Sequence, residues 1–360
     1  MGKERNTGVD LLKILAMVMI CGYHVLEHGG VMAAVKTSGS VYGPAWFLYA
    51  VTSAGVNAFA MISGYLGVQR QVRLSSAIMH WLQVTFYTVF ITLIALVLWP
   101  GTVGKQELLN AVLPVTYQQY WYVTAYFGML VFAPVLGYAV NGMPKKLLVM
   151  CAVGILLLLS GQQTALQYDI YGVNHGYSAL WLMAMYLVGG MFYRVESDLP
   201  KCTGVIGMLM AAICFLAAWL LKMVVQEKGL EAQISPTLFM RYTAPTMVLS
   251  AFALLAVFTR IRQINTGVAR VAEALAKASF GVYLIHDHPF IREHVMRGGF
   301  FFLADTTAVV FFLYAVLCAV GVFVVCAGID MVRDAMFRAL RIRKLVLYVE
   351  EKVVCLIDRV

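Results

Sequence analysis

Residues 9–27, VDLLKILAMVMICGYHVLE, decide the fold class. An α-helix rises about 1.5 Å per residue, so about 20 apolar residues cross a hydrocarbon core about 30 Å thick. This stretch is long enough, and nine comparable ones follow at 46–67, 77–99, 119–140, 146–161, 177–193, 203–225, 243–259, 274–291 and 305–329. Of the 360 residues, 61% are apolar and only 12% are charged, against about 25% charged in a soluble domain. No polar block between 9 and 330 is large enough for a separate soluble domain. The expected fold is therefore all-α, a polytopic bundle of about ten transmembrane helices, with a membrane domain over 1–330 and a tail over 331–360.

The formal charge of +9 is distributed unevenly along this layout. With ten spans, twenty of the 27 Lys and Arg residues fall on the side of the N-terminus; the other seven are Lys36, Lys105, Lys222, Lys228, Arg241, Arg292 and Arg297. Cytoplasmic loops of membrane proteins carry such an excess, so both termini of a multi-pass cell-membrane protein are expected inside. The cations lie in short stretches between apolar runs, not in a patch interleaved with aromatics, which excludes nucleic acid as a partner and leaves the lipid bilayer. The first span has no small-residue cleavage signature after it and reads as a retained helix. In the tail, MFRALRIRKLVLYVEEKVVCLI (336–357) mixes cations with Leu, Ile and Val at near-helical spacing, as an amphipathic helix on the cytoplasmic leaflet would. The seven cysteines show no CxxC and no framework of spacings, so neither disulfides nor a thiol nucleophile is expected.

Ionisable side chains inside spans are costly and point to function. The first span carries Asp10, Lys13, His24, Glu27 and His28. Lys13 and His24 lie eleven residues apart, which places them on one helix face about 16 Å apart along the axis. Snorkelling to the inner interface would also account for Lys13. His24 and His28 have an i, i+4 metal-ligand spacing, but no second cluster of ligand residues accompanies them, and no metal is expected. Ser63-Gly64 favours close helix packing over a nucleophile. Arg70 and Arg73 suit a phosphate clamp as well as a positive-inside anchor. Trp121 and Tyr122 sit where an aromatic belt would lie. His286 and Asp287 arrive in the outer half of the ninth span, near the level of His24, so a polar cavity open to the outer face is expected.

Four segments in this order, VDLLKILAMVMICGYH (9–24), FAMISGYLGVQRQVR (59–73), YWYVTAYF (120–127) and SFGVYLIH (279–286), resemble the integral-membrane acyltransferase-3 family, bacterial O-acetyltransferases of surface polysaccharides. The resemblance covers about residues 5–330. It implies transfer of an acyl group, usually acetyl, from cytoplasmic acetyl-CoA across the membrane to a hydroxyl of an extracytoplasmic glycan. Its basic residue about ten positions before a His falls on Lys13 and His24, where Lys replaces the usual Arg and gives up the planar fork. Its Arg pair falls on Arg70 and Arg73, and its late Tyr-Leu-Ile-His on Tyr283–His286. The resemblance implies His24 as general base, His286 as its partner or an oxyanion donor, Lys13, Arg70 and Arg73 toward the acyl-CoA, and Trp121, Tyr122 and Tyr283 toward the acceptor. A transporter or flippase with a histidine-lined pathway is the alternative, against which the lack of an internal repeat counts.

Overall fold

The computed structural model describes residues 5–69, 73–261 and 264–357, and every regular element among them is helical. The main helices are α1 (Thr7–Glu27), α2 (Tyr42–Ser53), α3 (Gly55–Gly67), α4 (Leu74–Leu98), α5 (Trp121–Gly142), α6 (Lys145–Leu156), α7 (Ala179–Val195), α8 (Thr203–Glu227), α9 (Pro245–Phe258), α10 (Thr266–His286), α11 (Ala308–Ala339) and α12 (Ile342–Ile357).

Eight helical segments are long and apolar enough to cross a membrane: Thr7–Ala34, Tyr42–Gly67, Leu74–Leu98, Trp121–Gly142, Lys145–Leu166, Thr203–Glu227, Leu238–Phe258 and Ala308–Ala339. The two expected spans outside this set are also helices, at the expected places. Helix α7 is 17 residues long, and α10 carries Arg270, Glu273 and Lys277 in its first half. Both pack inside the bundle, α7 against α3 and α5, α10 against α1 and α11. A helix walled by protein needs fewer apolar residues than one facing lipid, which lets α7 stay short and α10 carry its charges.

Side-chain chemistry explains the local departures from regular spans. The second span breaks at Ala54, because the Thr52 and Ser53 hydroxyls donate back to the carbonyls of Leu48 and Tyr49, a pattern that bends helices. The fifth runs on through a π-helical turn, Leu157–Gln162, to Leu166, longer than the 146–161 expected. Helix α11 continues unbroken through residue 330 to Ala339, and its Asp330 is buried with Arg333 at 2.8 Å and Tyr87 at 2.8 Å.

Large side chains of the interior, including Met17, Phe59, Tyr122, Trp181, Tyr186 and Leu284, form one continuous core. On the periphery Val97, Val131, Val135, Leu209, Ile213, Val309 and Val325 are exposed, as a lipid-facing surface requires. Helices α3 and α7 meet at glycines. A Cβ on Gly64 would stand 1.9 Å from the Tyr186 carbonyl oxygen, and one on Gly189 would stand 1.9 Å from that of Met61. Small residues at such crossings let backbones touch, the main way apolar helices associate in lipid.

Candidate functional site

Helices α1 and α10 run parallel: Arg5 meets Glu273 near the start of both at 3.2 Å, and His24 meets His286 at the end of both at 2.9 Å. The first of these ends is fixed by Arg5, which also pairs with Asp10 at 2.6 Å, and by Asn6, whose amide donates to the Thr259 carbonyl at 3.1 Å. Two histidines 262 positions apart in sequence are thereby brought into register.

Hydrogen-bond accounting fixes the tautomers of the histidine pair. His286 Nδ1 lies 2.6 Å from the Val282 carbonyl, which can only accept, so Nδ1 carries the proton. In neutral His286 the other nitrogen, Nε2, is then an acceptor, and the 2.9 Å contact with His24 Nδ1 must be a donation from His24. His24 Nε2 is left with its lone pair. Both rings are buried, His24 at 7% and His286 at 2% exposure, so water does not compete for these bonds. The arrangement orients His24 as the buried aspartate of a Ser-His-Asp triad orients its histidine, here with an imidazole in the place of the carboxylate.

Beyond His24, a vestibule of about 330 Å³ is lined by Tyr23, Glu27, His28, Trp121, Tyr177, Tyr242, Asp287 and Arg292. Asp287 Oδ1 is buried without a hydrogen bond and lies 3.8 Å from His24 Nδ1, 3.7 Å from His28 Nε2 and 3.7 Å from Arg292 Nη1. His24, His28 and Asp287 each bring one ligand atom within 4.8 Å of the others, a set that could hold a metal ion. Sequence spacing had offered only the two histidines, because Asp287 joins them from α10.

Trp121 forms the vestibule wall with Tyr177 at 4.4 Å and Tyr242 at 5.9 Å between ring centroids. Tyr242 is fixed from behind, where buried Asn57 donates to its carbonyl at 2.7 Å and accepts from Trp181 Nε1 at 2.9 Å. Tyr122 and Tyr283 stand deeper, their rings 5.7 Å apart, and line a narrow passage with His24, Met17, Ile20, Val56, Phe59 and Phe280. That passage encloses only about 20 Å³.

On the other side of the passage a larger cavity of about 480 Å³ opens near the start of α4. Lys13, Ser63, Gly67, Arg73, His80, Tyr126 and Tyr186 are among its walls. Lys13 Nζ stands 5.8 Å from the ring centroid of Phe59, a residue that lines the narrow passage. Ser63 Oγ donates to the Phe59 carbonyl at 3.1 Å, its helix's own backbone. Arg70 falls outside the described residues.

Thus Lys13 and Arg73 share one cavity, His24, His286, Tyr122 and Tyr283 gather at the passage, and Trp121 lies at its far mouth. Sequence reasoning missed His80, although a histidine in a span is the same signal that singled out His24. His80 Nδ1 donates to the Ser76 carbonyl at 2.7 Å, which leaves its Nε2 as an acceptor beside the Lys13 cavity. It also missed Tyr177, Tyr242 and Arg292, which look like ordinary loop and interface residues until the fold gathers them.

A family model described as an acyltransferase domain matches residues 6–331, nine-tenths of the chain. No curated protein and no solved structure matches the chain significantly.

Proposed function

The chain belongs to the acyltransferase-3 family, and from that premise we propose that it is an O-acyltransferase, moving an acetyl group from cytoplasmic acetyl-CoA through the bundle to a hydroxyl of an extracytoplasmic glycan. One observation carries this reading: His24, with an oriented and unprotonated Nε2, lines both the outer vestibule and the small cavity behind it, which Phe59 separates from Lys13.

In this reading ten helices cross, α7 and α10 included, with both termini in the cytoplasm. The Lys13 cavity then faces inward and receives the polyanionic end of CoA, with Lys13 and Arg73 as cationic contacts. The pantetheine arm is thin enough to enter between helices, and the passage admits a two-carbon acyl group more readily than a long chain. The vestibule faces outward and receives the sugar on Trp121, Tyr177 and Tyr242.

The chemistry follows from the tautomers. His24 Nε2 takes the proton of the acceptor hydroxyl as its oxygen attacks the thioester carbonyl; the carbon–sulfur bond breaks, and the departing CoA thiolate takes the proton back. As His24 becomes imidazolium, its Nδ1–H stays bonded to His286, which is held by the Val282 carbonyl. Ser63 is engaged with its own helix, so transfer is written as direct, without an acyl-enzyme. His286 acts by positioning.

Transfer of radiolabelled acetyl-CoA by purified protein in liposomes tests the reading. Label is expected in an added envelope-glycan fraction with the wild type, and none with His24→Ala at an unchanged melting temperature. Lys13→Arg should retain transfer, whereas Lys13→Ala should raise the KM for acetyl-CoA. Absence of both turnover and acetyl-CoA binding would overturn the reading and favour a transport pathway.

A further inference from the structure

The vestibule has a second lobe of about 160 Å³, and its charge differs from the first. The two lobes share Tyr23, Tyr177 and Tyr242. Glu27 and Asp287 line the lobe at His24, but among the described residues no carboxylate lines the second; it adds Tyr49, Thr237, Met240, His175 and Arg241. Arg241 is partly buried, and its guanidinium makes no hydrogen bond or ion pair with another described residue. A half-buried guanidinium without an anion is costly, so the lobe lacks the partner its charge calls for.

His175 beside it is also incomplete. Its Nδ1 is buried and has no hydrogen-bond partner. Burial first, and then the charge of Arg241, hold this imidazole below its ordinary value against the opposing pull of Asp169, so at neutral pH it acts as a neutral polar group. Asp169 is itself engaged, accepting from the backbone N–H groups of Val173 at 3.0 Å and Asn174 at 2.6 Å.

The loop that presents His175 is built under strain. Asn174, His175 and Gly176 are successive left-handed residues, with φ of 46°, 54° and 104°. For the two non-glycine residues this conformation is strained and persists only where the surroundings impose it. Here the Asp169 bonds impose it on one side, and close packing on the other: a Cβ on Gly176 would stand 2.5 Å from that of Tyr242. The strain keeps His175 and Arg241 on one wall of the lobe.

We infer that the acceptor is an anionic glycan: its carboxylate or phosphate is held by Arg241 and His175, its ring lies against Tyr242 and Tyr177, and its hydroxyl reaches His24. This rests on the acyltransferase reading for the meaning of the vestibule, and it assigns the second lobe as the anion subsite. Separate ends of one sugar unit thus meet a cationic lobe and an acid–base lobe, which fixes which hydroxyl faces His24.

The test is binding to the full-length protein in nanodiscs, without any acyl donor. The probes are a short oligogalacturonate, the same oligosaccharide after carboxyl reduction, and galactose 6-phosphate. One of the two anionic probes should bind at least about tenfold more tightly than the neutral one, the worth of a charge-assisted hydrogen bond. Whichever does identifies the anion. Arg241→Gln should erase the difference, Arg241→Lys should keep part of it, and both should melt like the wild type. Equal binding of all three probes, no binding of any, or a preference that survives Arg241→Gln would overturn the inference. So would a loss of acetyl-CoA affinity in Arg241→Gln, because the lobe would then belong to the donor. Since no donor is present in the binding assay, a failure of acetyl transfer in the wild type counts against the enzyme reading alone.

Discussion

His286 is the residue whose role can be separated from mere structure. It takes no part in bond making, yet the Val282 carbonyl and His24 Nδ1 leave it a single protonation pattern. His286→Ala is expected to lower kcat by about 10²-fold, the lower range for losing an oriented general base, with little change in the KM for acetyl-CoA. His286→Gln should restore part of the loss, since its amide oxygen can accept from His24 Nδ1–H; a purely structural role would give no such rescue. Steady-state kinetics on both variants decide it. The rate should also fall as pH drops, because only neutral His24 can accept a proton. Lys13, His24, His286, Trp121 and Tyr122 stood out in sequence as polar or aromatic residues in apolar runs, whereas Tyr283 was singled out only through the family resemblance. Asp287 was legible as a residue but not as a partner of His28, and Arg241 and His175 were not legible as a pair at all. The pairing depends on a strained turn of α7's preceding loop, which leaves no periodicity to read.

At the scale of elements, the sequence marks apolar runs well and marks their breaks poorly. Helix existence follows from run length, α7 and α10 included; the break at Ala54 follows from two hydroxyls bonding backward. The α3–α7 crossing makes a stability prediction. Gly189→Ala would push a methyl group against the Met61 carbonyl and should cost about 1–3 kcal/mol through overpacking. Gly154→Ala in α6, where a Cβ would meet nothing within 4 Å, should be neutral or slightly stabilising. Thermal melting of the two variants side by side measures the difference. Helix α12 makes a pH prediction. The Ser75 backbone N–H donates to Glu350 Oε1 at 2.9 Å; hydrogen bonds from Ser75, and then the charge of Arg73, hold this carboxyl below its usual value. A lowered value means that its contribution is complete above the unfolded glutamate value of about 4.3 and is lost as pH falls through the folded one. Amide protection of residues 342–355, measured relative to the intrinsic exchange rate at each pH, should therefore fall on acidification, and Glu350→Gln should show the lowered protection already at neutral pH. Protection insensitive to both would mean that Glu350 does not dock α12.

At the scale of the molecule, the number of crossings decides which ends of the bundle share a side of the membrane, and two native cysteines read it out. Cys202 precedes α8 and Cys355 lies in α12, and both are exposed. Cys151 and Cys318 are half-buried within spanning helices, and Cys21, Cys214 and Cys326 are buried, out of reach of a water-soluble reagent. Five helical segments separate the loop around Ser38 from Cys202 when α2 and α3 are counted together and α7 crosses; four separate them when it does not. Likewise α8 to α11 separate Cys202 from Cys355, four crossings with α10 and three without. Ten crossings with the N-terminus inside therefore put Cys202 and Cys355 together in the cytoplasm and an introduced Ser38→Cys outside. Eight crossings, without α7 and α10, put Cys202 outside with residue 38. A membrane-impermeant maleimide applied to intact spheroplasts and to inverted vesicles distinguishes them. We expect Ser38→Cys to label only in spheroplasts and both native cysteines only in inverted vesicles. Cys202 labelling from the outside would remove α7 from the set of crossings and overturn the ten-helix layout on which the proposed path through the bundle rests.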